Sequence, residues 1–200
     1  MTATAAATPI PNFDPGALCL EYAYSGALAG SPVAVKETWH SPGDLTHWVG
    51  SRFERTDADA TERELVDALL LRDAIVSVAF DFVAHREPAP DAVDTVNLYA
   101  ATPDIPPLLA GGRRQAGRTS VRIGQVLSVV ARDAVRLFVH ENRDRVRACA
   151  ADDCGLVFFD ESRSGNRRWC SMQRCGNREK VRAHRARAGA PLEREHHYLG

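Results

Sequence analysis

Two cysteine pairs near the C-terminal end carry the plainest chemistry in this 200-residue chain. Cys149-Ala-Ala-Asp-Asp-Cys154 and Cys170-Ser-Met-Gln-Arg-Cys175 each hold four residues between their thiols, and fifteen residues separate the pairs. A zinc ion takes four soft thiolates in a tetrahedron, and two short chelating loops joined by a hairpin-sized spacer can supply them. Cys149, Cys154, Cys170 and Cys175 are therefore the candidate ligands of one structural Zn(2+) per chain. Four cysteines leave no open position for a catalytic metal. The competing readings are disulfides and unrelated buried thiols. The N-terminal Met1-Thr-Ala-Thr-Ala-Ala-Ala-Thr-Pro9 lacks the basic start and apolar core of a secretion signal. The expected compartment is thus the cytoplasm, where thiols stay reduced. Unrelated thiols would not be expected in matched pairs inside the most polar part of the chain.

The second chemical signal is positive charge. Between Ser162 and Ala190, nine Arg/Lys side chains face a single acid, Glu179. Ser171 suits the N-cap of a helix running to about Ala188, with Gly189 as its stop. On that helix Arg174, Arg178, Arg182 and Arg185 fall within an arc of about 80° at about 100° per residue. Lys180 and Arg187 point elsewhere; the four arginines, with Lys180 added, are the candidate DNA contacts, because guanidinium forks match phosphate and guanine acceptors. A solvated face and a protein partner are the alternatives. Some arginines must also neutralise a Zn(Cys)4 centre, which carries two negative charges; Arg163, Arg167 and Arg168 are expected in that role, or paired with Asp160. His196-His197 reads as an exposed tail rather than as ligands.

Elements must place these groups. Gly155-Leu-Val-Phe-Phe159 is a good strand, with Arg167-Arg-Trp169 as its expected partner. Knuckle, hairpin and a ligand-bearing helix make a treble-clef-like unit, too small for much of a core and dependent on its metal to fold. Its core is expected to be separate from that of the residues upstream. There, Ala17–Tyr24 and Val33–Trp39 read as a β-hairpin. Ser41-Pro42 starts a short helix from Pro42 to about Phe53. Leu65, Leu69, Arg72, Val76, Ala79, Phe80 and Val83 recur at helical spacing until Pro88, and Pro90 opens a further helix through Tyr99. Ile123, Val126, Leu127, Val130, Ala134, Leu137 and Phe138 mark a last amphipathic helix. Cys19 is expected to be a small buried hydrophobe. Tyr22, Trp39, His40 and Trp48 are a candidate small-molecule pocket, with core packing as the alternative for the aromatics.

Composition bounds the rest. At 44% hydrophobic and 26% charged the chain is an ordinary globular protein, and no run approaches the roughly 18–20 apolar residues of a membrane span. A net charge of −1 argues against a uniformly basic nucleic-acid binder. The charge is nonetheless divided: residues 1–140 carry 12 basic and 17 acidic side chains, residues 141–200 carry 13 and 9. No phosphate-binding glycine loop and no nucleophile–base arrangement is present in the sequence, so an enzyme is not expected.

Cys149-x4-Cys154-Gly-Leu-Val-Phe-Phe-Asp160-x-Ser162-Arg163, with Arg168-Trp-Cys-Ser-Met-x-x-Cys175-Gly-Asn-Arg178-x-Lys180, resembles the CGNR zinc-finger family. Leu18-Cys19-Leu20-Glu21-Tyr22 is similar to the N-terminal motif of the ABATE domain that usually precedes such a finger, a family described as stress-induced transcription regulators. The resemblance implies DNA binding by the finger. The resulting expectation is an α+β chain: a tail over 1–12, a mostly helical ABATE-like sensory or dimerisation domain over 13–145, the finger over 146–190, and a tail over 191–200. Its expected role is a zinc-dependent, DNA-binding transcriptional regulator, homodimeric, with a small-molecule effector. A protein-interaction adaptor or an RNA-binding protein stapled by the zinc is the alternative.

Overall fold

The computed structural model describes residues 13–27, 36–53, 59–107, 109, 111 and 120–189. In chain order these form α1 (Leu18–Ala23), α2 (Pro42–Gly50), α3 (Glu62–Val83), α4 (Pro90–Ala100) and α5 (Ile123–Leu137). A short 3-10 turn, His140–Asn142, leads to β1 (Val146–Ala148) and β2 (Val157–Phe159). A π-helical turn, Met172–Gly176, then opens α6 (Asn177–Gly189). No helix among the described residues is long and apolar enough to cross a membrane.

Local sequence explains most helix ends. Ser41 and Asp44 form a capping box at α2, with Pro42 in the first turn, and Thr61 and Glu64 do the same at α3. α3 turns Leu65, Ala68, Leu71, Ile75, Ala79 and Phe82 inward, and α5 turns Ile123, Val126, Leu127, Val130, Ala134 and Leu137 to meet them. Beyond α5, the Asn142 side-chain amide donates to the carbonyls of Arg136 and Leu137 at 3.0 and 3.1 Å, satisfying two orphan acceptors. α3, α4 and α5 pack on one another, and α1 lies against α3 and α5.

The expected N-terminal hairpin is not formed. Leu18–Ala23 is helical, and Cys19, Leu20, Tyr22 and Ala23 are all buried. A helix of six residues with four of them buried offers Glu21 as its one polar position, so its sequence has no readable period. Long-range bonds settle its conformation: the Cys19 N–H donates to Asp133 Oδ2 at 2.8 Å, and the Tyr22 hydroxyl donates to the Ala68 carbonyl at 2.7 Å. Cys19 is fully buried as expected. Residues 36–39 are not a strand. Val33–Val35, both expected tails and His196-His197 lie outside the described residues.

The one sheet among the described residues is antiparallel, with Val146 opposite Phe159, Arg147 opposite Phe158 and Ala148 opposite Val157. The partner of β2 is therefore β1, not Arg167–Trp169. Buried Asp160 accounts for the difference, because it folds the following loop back on itself. Its carboxylate accepts the N–H groups of Ser162 at 2.9 Å and Arg167 at 2.8 Å.

Nor is the core of the hairpin separate. Leu156, Val157 and Phe158 are fully buried in the same apolar cluster as Leu20, Tyr22, Leu71 and Ile75. The Val157 N–H donates to the Tyr24 hydroxyl oxygen at 2.7 Å, and the Phe159 N–H donates to the Pro15 carbonyl at 2.8 Å. Gly16 has φ +74°, and a Cβ there would run into the Phe159 carbonyl oxygen, so the close approach requires glycine.

Candidate metal centre and basic helix

The hairpin turn and the start of the last helix bring the four cysteines together. Cys149 follows β1 and Cys154 precedes β2; Cys170 ends the returning loop, and Cys175 lies in the π-helical turn. All four are buried, and their Sγ atoms lie within 4.8 Å of one another. Cys154 and Cys170 are 3.7 Å apart, Cys170 and Cys175 3.5 Å. A tetrahedron with Zn–S bonds of about 2.3 Å has S···S edges of about 3.8 Å, so the donor set fits zinc in both chemistry and spacing.

One backbone contact suits a charged thiolate, and another caps the turn that carries Cys175. The Cys170 N–H donates to Cys149 Sγ at 3.3 Å, and the Ser171 hydroxyl caps the π-helical turn by accepting the Arg174 N–H at 3.0 Å. Without a cation the thiols cannot all ionise. The Cys170 thiol bonded to Cys154 draws Cys154 down to about 5, and the same bond pushes Cys170 far up. A divalent cation removes this conflict by favouring all four thiolates.

The arginines divide their duties differently from expectation. Arg178, not Arg163, Arg167 or Arg168, touches a ligand sulfur: its Nη2 donates to Cys175 Sγ at 3.5 Å. Arg167 turns inward. Its guanidinium stacks over Phe158 at 4.4 Å and donates to the carbonyls of Asp14 at 2.8 Å, Trp169 at 3.0 Å and Cys170. Arg168 lies over Trp169 at 5.1 Å, and Arg163 is exposed. Of these three arginines, Arg167 meets Asp160, through its backbone N–H. Burial would raise the Asp160 carboxyl, but its hydrogen bonds with Ser162 and Arg167 outweigh that and hold it below the usual range.

Arg178, Arg182 and Arg185 share α6, whereas Arg174 belongs to the π-helical turn. The wider turn breaks the α-helical phase assumed for a four-arginine row, and Arg174 is half-buried with no partner for its Nε atom. Every residue from Lys180 to Arg187 is exposed. α6 thus buries none of these side chains in its own chain. Asp153, between the first two cysteines, meets Arg178 at 2.5 Å and Arg182 at 3.0 Å, and these guanidiniums, Arg182 foremost, hold its carboxyl below the usual range. Arg182 also pairs with Glu179 at 2.7 Å. Lys180 and Arg185 have no ion pair among the described residues.

The candidate small-molecule pocket is closed. Tyr22, Trp39 and Trp48 meet edge to face, with ring centroids 5.2 to 5.7 Å apart, so each ring fills the space beside the others. They are core, and His40 lies exposed outside them. Beside them is a charged contact that sequence reasoning missed. Arg72, buried in α3 and stacked over Trp39 at 5.2 Å, forms a two-pronged pair with Glu37, with Nη1 to Oε1 at 2.9 Å. Glu37 Oε1 also accepts the N–H groups of Thr38 and Trp39 at 2.9 Å. An arginine on an otherwise apolar helical face was the available signal.

A treble-clef-like zinc finger docked on a helical domain is the class of protein these features define. The family profile described as "Putative stress-induced transcription regulator", ABATE, matches residues 16–141, and the CGNR zinc finger matches residues 145–188. The chain belongs to the ABATE family and carries a CGNR zinc finger after that domain. No curated protein matches its sequence significantly.

Proposed function

We propose that this protein is a non-enzymatic, zinc-dependent transcriptional regulator whose finger binds duplex DNA through α6. One observation carries the reading: α6 is exposed all round from Lys180 to Arg187 and is dominated by basic side chains. A stretch of helix whose side chains all stay exposed from Lys180 to Arg187 and that concentrates cations suits the phosphate edge of a groove. Lys180, Arg182 and Arg185 lie on it, with Arg178 at its metal-proximal end. So small a module provides little interface alone, which favours two fingers on a two-part site. The helical domain is the part able to pair them, and Val66 and Leu70, one turn apart on α3, are about half exposed.

The test is a mobility-shift titration of the zinc-loaded full-length protein on duplex DNA from its own upstream region. Binding should fall with salt at a log–log slope near −3 to −4 per protomer, for about four neutralised phosphates. It should vanish with a strong chelator. Absence of salt-sensitive binding at low salt would overturn this reading in favour of an adaptor. Preference for single-stranded or duplex RNA over the same DNA would replace DNA with RNA.

A further inference from the structure

Arg178 and Arg182 converge on one anion. Their Nη2 atoms take one oxygen each of the Asp153 carboxylate, Arg178 on Oδ1 at 2.5 Å and Arg182 on Oδ2 at 3.0 Å. Each guanidinium also has a second acceptor: the same Nη2 of Arg178 reaches Cys175 Sγ at 3.5 Å, and Nη1 of Arg182 reaches Glu179 Oε1 at 2.7 Å. The fork therefore has anchors that do not involve Asp153. All three side chains are between 41 and 49% exposed, so solvent and a macromolecular partner reach the same place.

We propose that Arg178 and Arg182 form an oxyanion fork for one backbone phosphate of DNA, and that Asp153 is its resident anion, displaced when the phosphate binds. The proposal rests on the DNA-binding reading of α6 and adds where the first phosphate sits and what it competes with. The two unesterified oxygens of a phosphodiester are spaced much like those of a carboxylate, so they can take the same two donors. Arginine suits such sharing because its donors are fixed in a plane. Before DNA arrives, two of the basic side chains on this face are already compensated. Lys180 and Arg185, with no ion pair among the described residues, carry the uncompensated charge that draws the duplex in, and Asp153 limits binding to arbitrary polyanions.

Zinc-loaded full-length protein and its Asp153→Asn variant are titrated with the same duplex DNA across a salt series. The variant should bind about five- to tenfold more tightly at low salt, the scale of two exposed ion pairs released from competition. Its log–log salt slope should be steeper by about one, because a fork without a resident anion releases more counterions. Wild-type binding with equal or weaker binding by the variant at unchanged slope would overturn the fork and leave the DNA reading intact. Failure of both proteins to bind overturns the DNA reading, and the phosphate role with it. Should Asp153→Asn lose its zinc, inorganic phosphate titrated into the wild type decides instead. Guanidinium NMR signals of Arg178 and Arg182 should move ahead of that of Arg185. Uniform movement of all three would overturn the fork.

Discussion

The hydroxyl oxygen of Tyr24 accepts the backbone N–H of Val157 at 2.7 Å, joining α1 to the strand that follows the zinc knuckle across 133 residues of sequence. Both groups are buried, and burial holds the Tyr24 phenol well above its usual range, so the bond is a neutral one. Phenylalanine in place of Tyr24 would keep the ring and leave the Val157 N–H without an acceptor. Tyr24→Phe should cost about 1–3 kcal/mol by urea denaturation, the penalty of one unsatisfied buried donor. Zinc should also pass faster to a chromophoric chelator. An unchanged midpoint and transfer rate would mean that this bond does not couple the two parts.

Because the finger and the helices share one apolar cluster, losing the metal should be felt beyond the finger. Cys170→Ser should lower the zinc content from one per chain and reduce hydrogen-exchange protection in α1 as well as around β2. Protection in α1 equal to wild type would show that the helical domain holds without the docked hairpin. Elemental analysis of wild-type protein purified without chelator checks the stoichiometry.

Glu37 and Arg72 make a partly buried ion pair with a definite pH signature. Burial opposes the Glu37 charge, but the hydrogen bonds from Arg72 and the Trp39 N–H outweigh it, and its carboxyl is held below the usual 4.5. A carboxyl lowered on folding contributes stability that is complete above its unfolded pKa and disappears as pH falls through the folded one. Stability should therefore decline with acid below about 4.5. Glu37→Gln should lose about 1–3 kcal/mol at neutral pH, since Arg72 keeps its charge in the core. The variant should also show a shallower acid decline. Parallel stability-against-pH curves for the two proteins would refute this assignment.

The arginines of the basic helix should separate into two kinds. Arg178→Ala should weaken DNA binding and also speed zinc release, because its guanidinium touches Cys175 Sγ. Arg185→Ala, with no such contact, should flatten the salt slope by about one and leave zinc retention unchanged. Equal zinc release from the two variants would remove Arg178 from the support of the metal centre.

The ligand set was legible because chelation imposes a spacing that the chain shows openly: two matched cysteine pairs around a hairpin-sized spacer. Long amphipathic segments were legible for a similar reason. α3, α4 and α5 repeat apolar residues over several turns, and Pro88 and Pro90 punctuate them. What escaped was short or determined at a distance. Six residues of α1 contain less than two turns, and their helical state depends on Asp133 and Ala68 from other helices. β1 is only Val-Arg-Ala, too brief to compete with Arg167–Trp169 as a partner for β2. Glu37 and Arg72 lie 35 residues apart, and nothing local marks them as partners. The π-helical turn shifts the phase of the arginine row by an amount that a 3.6-residue period cannot foresee.

The outer edge of β2 has a consequence for solution behaviour. Its Val157 and Phe159 N–H groups, which face away from β1, are taken by the Tyr24 hydroxyl and the Pro15 carbonyl. A strand edge with free donors invites another chain to pair with it. Here the helical domain guards this strand against edge-to-edge pairing, and Gly16 lets the guarding segment come close enough to serve. A fragment beginning at residue 145 would keep all four cysteines and leave those two donors bare. Such a fragment should self-associate through this strand edge, which the whole chain keeps covered, with its zinc still bound.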